Sequence, residues 1–423
     1  MGLRHRLAGL GGRRGGVTGM TEAPMRVAMI GPFGLGPKAT VRARALPLAR
    51  ALAARGHRVA IIMPPWHTPA EAGRAWEEGG VRLEYVSLGP GVPGLRHAAI
   101  ARRLAARALG WRPDVVHVFK PKAHAGLAGA LLWAARRVGR GVPVVMDEDD
   151  WEGPGGWNDL EPYPRAARAL FAHQERWGLR HADGVTVASR ALETLAWGLG
   201  VPPGRVHYLP NGAASPAPGD GEGVRQRLGL GRAPVILLYT RFFEYDVARV
   251  VEALERVVGQ APEARLLVVG EGLYPADEER FYRLVAEAGL SGAVCKAGWV
   301  PLAELPDHFA AADLAIYPYD DTLVNRTKCS VKLASLLAAG VPVVAEAVGQ
   351  NAAYIRDGQT GLLTPPGDPA ALAGACLALL GDRERRERLG RAAAEEMATT
   401  YSWDHLAEGL VAVYAAARGE RSG

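Results

Sequence analysis

The strongest constraint on the fold is a repeated alternation of short apolar runs with amphipathic helical patterns. The apolar run RVAMIG is followed by a glycine turn, by the helical stretch KATVRARALPLARALAARG and by a second apolar run, HRVAIIMP. The pattern then continues along the chain. Short apolar runs that alternate with helices are typical of parallel strands buried beneath helices on both faces. We therefore predict an α/β protein with doubly wound parallel sheets.

One interruption divides this alternation into two series. Residues 212–233 are rich in Gly and Pro, which is the composition of a linker. We predict two Rossmann-like domains that face each other across a cleft, flanked by two terminal segments. The expected bounds are 1–24 for a disordered basic tail, 25–212 and 213–398 for the two domains, and 399–423 for a last helix.

Composition excludes several classes of function. A formal net charge of +6 suits an anionic ligand or a membrane surface, but it is too diffuse to indicate nucleic-acid binding. Three cysteines without a CxxC motif, and no histidines at ligand spacing, predict neither a disulfide framework nor a metal site. No apolar run reaches the ~18 residues that span a bilayer, and the N-terminal stretch lacks the apolar centre of a signal peptide. We expect a cytoplasmic protein.

The stretch NRTKCSVKLASLLAAG carries three cations where a helix is expected to begin. We predict one short helix between the breaker Pro318 and the terminator Gly340. Each cation near a helix start costs about 0.3–1 kcal/mol, because the helix dipole is positive there. Lys328 and Lys332 are four residues apart and would share a helix face, where they and the free N–H groups would bind a phosphate or diphosphate. The alternative is that both lysines extend into solvent.

Other candidate residues stand at predicted carboxyl ends of strands, where open parallel sheets bind ligands. Gly34 and Gly36 follow the first strand, but their spacing is not GxGxxG and no acidic residue closes the next strand, which argues against NAD. Arg241 and Glu271 follow two strands of the second domain, and arginine grips two oxygens of an anion at once. A plain tight turn and a surface ion pair are the alternatives.

Four consecutive acidic residues, 147–150, end a strand of the first domain just before Trp151. Their mutual repulsion predicts that at least one has a raised pKa or binds a cation. One of them could act as a general base or hold hydroxyl groups; a Mg²⁺ site and a solvated loop are the alternatives. His117 and His124 are further candidate proton carriers, although a lone histidine is more often structural.

The motifs together resemble the group 1 glycosyltransferases of family four, which are retaining enzymes with two Rossmann-like domains, the GT-B fold. The resemblance spans the chain after Met25 and rests on RPDVVHVF, ADGVTVASRALE, YLPNG, ARLLVVGEG, HFAAADLAIYPY, SVKLASLLAAGVPVVAE and IRDGQTGLLTPPGDPAALA. It implies transfer of a sugar from a nucleotide-sugar donor with retention, no required metal or cofactor, and a last helix that crosses back to the first domain.

The resemblance also implies roles for individual residues. The donor diphosphate would lie on the helix start from Ser330 to Lys332 and against Arg241, while the glycine loop approaches it from the first domain. Glu271 would lie near the base. The predicted donor-binding set comprises Gly34, Gly36, Arg241, Glu271, Lys328, Ser330, Lys332 and Ser335. The predicted catalytic set comprises His117, Asp147 and Asp149.

The chain departs from the family pattern at two customary carboxylates. Aligning LASLLAAG puts Thr327 and Ser335 where relatives carry glutamates. Asp320 and Asp321, just upstream, could replace them. The loss supports an alternative function, a non-catalytic protein of the same fold that binds nucleotide sugars or glycans; a sugar-phosphate epimerase of similar fold is more remote.

The acceptor is expected to be a glycan, a lipid-linked molecule or a small molecule. The arginine-rich stretch at 95–112 predicts a basic amphipathic helix that could rest on an anionic membrane and suit a lipid-linked acceptor. An ordinary surface helix with solvated arginines is the alternative.

Overall fold

The computed structural model describes residues 23–36, 40–89 and 95–419. Residues 1–22 of the predicted basic tail lie outside these ranges. Two separate sheets organise the described chain, the first parallel except for one edge strand and the second parallel throughout, and helices cover both faces of each sheet. The predicted doubly wound α/β architecture is confirmed.

The first sheet has eight strands in the order β3-β4-β2-β1-β5-β6-β7-β8. They are β1 Arg26–Ile30, β2 Arg58–Met63, β3 Ala75–Glu78, β4 Val81–Tyr85, β5 Val115–Phe119, β6 Val144–Glu148, β7 Gly184–Val187 and β8 Val206–Tyr208. All pairs are parallel except β3 with β4, so the sequence pattern missed an antiparallel edge. Every residue of β5 and β6 is buried, as expected for strands covered on both sides.

The second sheet has six strands, all parallel, in the order β11-β10-β9-β12-β13-β14. They are β9 Val235–Tyr239, β10 Arg265–Val269, β11 Val294–Gly298, β12 Leu314–Tyr317, β13 Val343–Glu346 and β14 Leu362–Thr364. Neighbours β9 and β12 lie at the centre although they are not consecutive in the chain. Such a reversal of strand order opens a crevice at the carboxyl ends of the strands.

Sixteen α-helices connect these strands within the described ranges. They are α1 Leu46–Ala54, α2 Leu95–Gly110, α3 Ala123–Arg137, α4 Trp157–Leu160, α5 Arg165–His181, α6 Arg190–Gly198, α7 Gly221–Arg227, α8 Val247–Gln260, α9 Pro275–Glu287, α10 Leu305–Ala310, α11 Leu323–Thr327, α12 Val331–Ala338, α13 Asn351–Tyr354, α14 Pro369–Leu380, α15 Arg383–Thr399 and α16 Trp403–Arg418. None of these helices combines the length and the hydrophobicity that crossing a bilayer requires.

The last helix returns to the first sheet. Helix α16 packs on α1 and beneath β5 to β7. The hydroxyl of Tyr414, on α16, lies 2.8 Å from Nδ1 of His117 on β5. Helix α16 therefore belongs to the first domain in space, although it follows the second domain in the chain.

The segment predicted as a linker contains a helix. The side chain of Asp220 accepts a hydrogen bond from the backbone N–H of Gly223 at 2.9 Å and so starts α7. Val224 then buries its side chain completely. Gly and Pro composition correctly indicated a break between the two series of strands, but one capped helical turn and its apolar contact order part of that break.

Candidate active site

Three cations of the second domain surround one buried carboxylate. Arg241 follows β9, whereas Lys328 and Lys332 lie before and within α12. The side chain of Glu244 is 5% exposed, and its Oε1 accepts hydrogen bonds from Lys328 Nζ at 2.5 Å and from Arg241 Nη2 at 2.9 Å. The cations outnumber this carboxylate, so the cluster attracts anions when all three are protonated.

Of these three cations, Lys332 is the one for which the described residues supply no ion-pair partner. In the described part of the chain its ammonium group makes no hydrogen bond and no ion pair within 4 Å, and it lies 4.6 Å from the centre of the Tyr239 ring. Burial lowers the pKa of Lys332 to about 7. Glu244 opposes that shift, whereas the charges of Arg241 and Lys328 add to it. A small cavity opens beside this ammonium group.

Glu244 stays ionised because of these cations. Burial alone would raise its pKa, but Lys328 and then Arg241 outweigh burial, so the pKa falls to about 2. Conversely, burial lowers the pKa of Lys328 even though Glu244 favours its charged form. Glu244 thus neutralises part of a positive cluster that would otherwise repel itself.

The predicted single helix around the lysines is wrong. The hydroxyl of Thr327 donates to the carbonyl of Leu323 at 2.9 Å, and α11 ends there. Lys328 has an extended backbone, with φ −69° and ψ 138°. Ser330 then starts α12 by accepting from the backbone N–H of Leu333 at 3.5 Å. Lys328 and Lys332 therefore do not share a helix face; they meet around Glu244 because Lys328 lies in the break between two helices.

The third cation of the motif and the proposed replacement carboxylates lie in other ion pairs. Arg326 is exposed and pairs with Asp321, with its Nη2 2.7 Å from Oδ2. Asp320 pairs with Arg249 at 2.8 Å. These contacts do not favour Asp320 or Asp321 as substitutes for the missing family glutamates.

The first domain covers the cation cluster with an aromatic side chain. The ring of Trp157, on α4, lies 5.2 Å from the ring of Phe243 in the second domain. The ammonium group of Lys328 is 4.9 Å from the Phe243 ring and 5.8 Å from the Trp157 ring. Nearby, the hydroxyl of Ser189 donates to the carbonyl of Thr327 at 2.7 Å. The cluster therefore lies at the contact between the two domains.

The contacts of the other residues in the predicted donor set do not by themselves indicate donor binding. Gly34 packs against Tyr85, because an added Cβ would come 3.0 Å from that ring, whereas Gly36 has open space on the same side. Glu271 is exposed after β10. The hydroxyl of Ser335 donates to the carbonyl of Val331 at 2.9 Å, within α12. Roles for these residues stay predictions.

The glycine before Glu271 allows the ends of the neighbouring strands β10 and β9 to lie close together. Gly270 has φ +116°, and a Cβ there would come 2.1 Å from the carbonyl oxygen of Thr240. Only glycine tolerates both the dihedral angle and this close approach. The close packing of Gly270 holds the loop that carries Arg241.

Asp147 and His117 lie in a buried hydrogen-bond network inside the first domain. Arg44 grips Asp147 with two hydrogen bonds of 2.7 and 2.6 Å, and the hydroxyl of Thr186 donates to the same carboxylate at 2.6 Å. His117 Nδ1 contacts the Tyr414 hydroxyl, and burial lowers the pKa of His117 to about 4. Both residues are fully buried by protein groups. This packing does not favour their predicted catalytic roles, which stay predictions.

The remaining histidine candidate lies in a separate aromatic cluster. His124 Nε2 is 2.8 Å from His97 Nδ1, and the ring of Trp66 lies 5.1 Å from the His124 ring. Burial, together with His97 and Arg96, lowers the pKa of His124 to about 4. No contact joins this pair to the cations around Glu244 in the described residues.

The acidic loop after β6 confirms the expected rise in pKa. Burial, with repulsion from Glu175 and Asp149, raises the pKa of Glu148 well above its ordinary value. Burial also raises the pKa of Asp149 to about 6, although Lys120 opposes the shift. The ammonium group of Lys120 lies 3.4 Å from Asp149, 3.0 Å from Asp150 and 3.3 Å from Glu152. Within the described ranges, no group of three or more His, Cys, Asp or Glu side chains is arranged to hold a metal ion.

Several important residues were missed from sequence. Glu244 stands three residues after Arg241, in RFFE, and an acidic residue so close to the predicted phosphate-binding arginine was the available signal. Arg44 lies on a helical stretch with three other arginines, Arg42, Arg50 and Arg55, so nothing in its position distinguished it. Nothing local in the sequence indicates that Trp157 reaches the other domain.

Comparison with known proteins agrees with this architecture. The Glycosyl transferase 4-like domain matches residues 39–212, and the Glycosyl transferases group 1 domain matches residues 233–382. The chain is 29% identical to a D-inositol 3-phosphate glycosyltransferase of Acidothermus cellulolyticus over 95% of its own length and 93% of the relative.

Two solved structures share the fold. Sucrose-phosphate synthase from Thermosynechococcus elongatus aligns with a TM-score of 0.70 and 22% identity, over 92% of this chain and 98% of that one. Anabaena HepE in complex with UDP and glucose aligns with a TM-score of 0.70 and 17% identity, over 92% and 99%. A non-catalytic role is not favoured, because the matched domains and the sequence relatives are named as enzymes. The chain therefore belongs to the group 1 glycosyltransferases and is a GT-B enzyme that transfers a sugar from a nucleotide-sugar donor.

Proposed function

We propose that the donor diphosphate binds among Arg241, Lys328 and Lys332, at the start of α12. The observation that carries this proposal is the excess of cations around Glu244. These groups lie where β9 and β12 end, at the crevice of the second sheet and beneath Trp157 of the first domain. A helix start adds N–H groups that favour the same kind of ligand.

The cations support the chemistry of the leaving group. When the bond between the anomeric carbon and the diphosphate breaks, its electron pair stays on the diphosphate oxygen. Fixed positive groups stabilise that developing charge without having to reorganise. A diphosphate beside Lys332 also favours the protonated lysine, so the ligand brings the site to its full positive charge.

Glu244 serves as the internal counter-ion of the site. It already neutralises Lys328 and binds Arg241, so a diphosphate has to share both cations with it. The unpaired Lys332 is then the first contact available to an incoming phosphate. This arrangement keeps the cations in place before the donor arrives, at some cost in donor affinity.

The stereochemistry, the acceptor and the need for metal follow from the family resemblance and remain proposals. We propose transfer with retention to a glycan, a lipid-linked molecule or a small-molecule acceptor. We also propose that no metal is required, since three protein cations are positioned to neutralise the diphosphate. Turnover that persists in excess EDTA supports this point, and turnover that EDTA abolishes and Mg²⁺ restores contradicts it.

The membrane contact of α2 also stays a prediction. Arg107 pairs with Glu84, and Arg103 donates to the carbonyls of Ser87 and Leu88, so both arginines are engaged within the fold. Flotation with anionic liposomes at low and high salt checks the contact. Absence of salt-sensitive binding removes it.

The donor site is tested with UDP-glucose, ADP-glucose and GDP-mannose. Calorimetry with the free nucleotides measures affinity, and slow donor hydrolysis measures turnover. Lys332→Ala and Arg241→Ala are expected to weaken nucleotide binding at least tenfold, because each removes a charge-assisted contact of about 1.5–3 kcal/mol. Lys296→Ala is the matched control: this lysine lies on the outer strand of the same sheet and pairs with Glu278. Wild-type affinity in both site variants contradicts the proposal.

A further inference from the structure

One carboxylate of the first domain reaches the gap above the donor cations. Asp150 follows β6, and its side chain is 21% exposed, compared with 10% for Asp149 and 5% for Glu152. Glu148, at the end of β6, is 1% exposed. Asp150 is therefore the most accessible member of this acidic loop.

Asp150 is also the member that carries a firm negative charge. Its Oδ2 accepts a hydrogen bond from Lys120 Nζ at 3.0 Å. Burial would raise its pKa, but Lys120 and then Lys328 hold the pKa of Asp150 below its ordinary value. Asp150 adjoins Trp151, whose carbonyl accepts a hydrogen bond from the backbone N–H of Trp157 at 2.9 Å. The Trp157 ring in turn lies 5.8 Å from the ammonium group of Lys328 in the second domain, so Asp150 lies beside the contact between the domains.

The backbone holds this arrangement in a strained conformation. Lys120 ends β5 with φ +56°, a value that residues other than glycine rarely adopt. Its backbone N–H donates to the carbonyl of Asp147 at 2.9 Å. The strain lets one ammonium group reach the carboxylates that follow the neighbouring strand, and strained residues of this kind cluster at functional sites.

The other carboxylates around the cations are committed to the second domain. Glu244 binds its own lysine and arginine. Asp320 pairs with Arg249, and Glu346 binds Arg249 and accepts from the backbone N–H of Tyr319 at 2.7 Å. Each of these carboxylates is paired with a cation of the second domain, whereas Asp150 belongs to the first domain and keeps a 21% exposed side chain beside Lys120.

We propose that Asp150 faces the transferred sugar and stabilises the positive charge that develops at its anomeric carbon. It would replace the carboxylates that Thr327 and Ser335 do not supply. The inference rests on the proposed donor site.

The bond from the anomeric carbon to the diphosphate oxygen breaks, with the electron pair leaving on that oxygen. The oxygen of the acceptor, or of water, forms the new bond, and its proton passes to the released phosphate. Asp150 keeps its charge throughout.

The test separates binding of the nucleotide from turnover of the donor. Asp150→Asn removes the charge and keeps the shape, so donor hydrolysis is expected to fall on the order of 100-fold, the usual effect of removing one fixed electrostatic contact. Affinity for UDP, ADP and GDP, measured by calorimetry, is expected to stay within about twofold, because the nucleotide contacts lie in the second domain. Asp150→Glu, with the charge displaced, is expected to recover part of the turnover.

Asp159→Asn is the matched control, because Asp159 lies on α4 in the same connection but is exposed. If Asp150→Asn does not fold, Asp150→Ser removes the same charge with a smaller side chain. Full turnover in a folded charge-removing variant overturns this inference alone, as does a loss of nucleotide affinity equal to the loss of turnover. A wild-type protein that binds nucleotide but turns over none of the three donors overturns both this inference and the transferase chemistry of the site.

Discussion

At the scale of single residues, Lys332 links donor binding to pH. Burial lowers its pKa to about 7, and a bound diphosphate would raise it, so binding is expected to take up a proton. UDP affinity is expected to fall by about tenfold between pH 7 and pH 8.5. Calorimetry in two buffers of different ionisation enthalpy measures the proton uptake directly.

Lys332→Arg provides the control for this linkage. Arginine keeps its charge at these pH values, so the variant is expected to bind UDP with little dependence on pH. A wild-type affinity that does not change with pH contradicts the role given to Lys332. Without ligand, the lowered pKa works against folding at low pH, so it predicts that stability rises as pH increases from 7 towards 10.5.

Glu244 is expected to stabilise the fold, because it neutralises the cations around it. Glu244→Gln leaves Arg241, Lys328 and Lys332 without their shared counter-ion, and breaking a buried ion pair in this way costs about 3–5 kcal/mol. The melting temperature is therefore expected to fall, and UDP is expected to raise it more in the variant than in the wild type. Glu278→Gln, which leaves one half-exposed lysine unpaired, is the control. An unchanged melting temperature in Glu244→Gln rules out the counter-ion role.

At the scale of elements, the break between α11 and α12 positions the lysines, and Ser330 defines it. Ser330→Ala is expected to cost about 1 kcal/mol of unfolding free energy, since it removes the cap of α12. It is also expected to weaken UDP binding, because the start of α12 loses its fixed position. Denaturant unfolding and calorimetry measure the two effects.

A second capping serine allows a matched comparison. Ser402 starts α16 by accepting from the backbone N–H of His405 at 3.2 Å, far along the chain from the donor cations. Ser402→Ala is expected to lose similar stability without a change in UDP affinity. Equal affinities for both variants would show that the start of α12 does not contribute to the site.

At the scale of the whole molecule, Trp157 brings the first domain onto the donor site. Its ring packs at an angle against Phe243 and lies over Lys328, so it is expected to exclude water when the domains are closed. Trp157→Ala is expected to lower sugar transfer to acceptor about tenfold or more and to raise the fraction of donor lost to hydrolysis. Trp197→Ala, an exposed tryptophan on α6, is the control. An unchanged ratio of transfer to hydrolysis contradicts this role.

Much of the fold could be predicted because its signals are local. A buried parallel strand appears as an uninterrupted apolar run, as in β5 and β6, and the helices between strands show their own period. The edge strand β3 was missed, because AWEE is short and half-exposed. The break at Lys328 was missed for a different reason: hydrogen bonds of Thr327 and Ser330 override a helical pattern.

The candidate site was only partly predictable. Arg241 and Lys332 follow from their positions at strand ends and helix starts, which the order of elements determines. Glu244 reaches these cations across a turn, and Trp157 reaches them from the other domain. Asp147 is held by Arg44, which lies just before α1 and far from Asp147 in the sequence. Such contacts depend on side-chain directions that no local pattern contains.

By itself, the amino-acid sequence determined that two parallel sheets form and that cations gather where the second sheet ends, because periodicity and strand order are properties of neighbouring residues. Only the tertiary structure decided which charges neutralise one another. Burial and distance set that balance: among the described residues they pair Lys328 with Glu244 and leave Lys332 without an ion pair of its own.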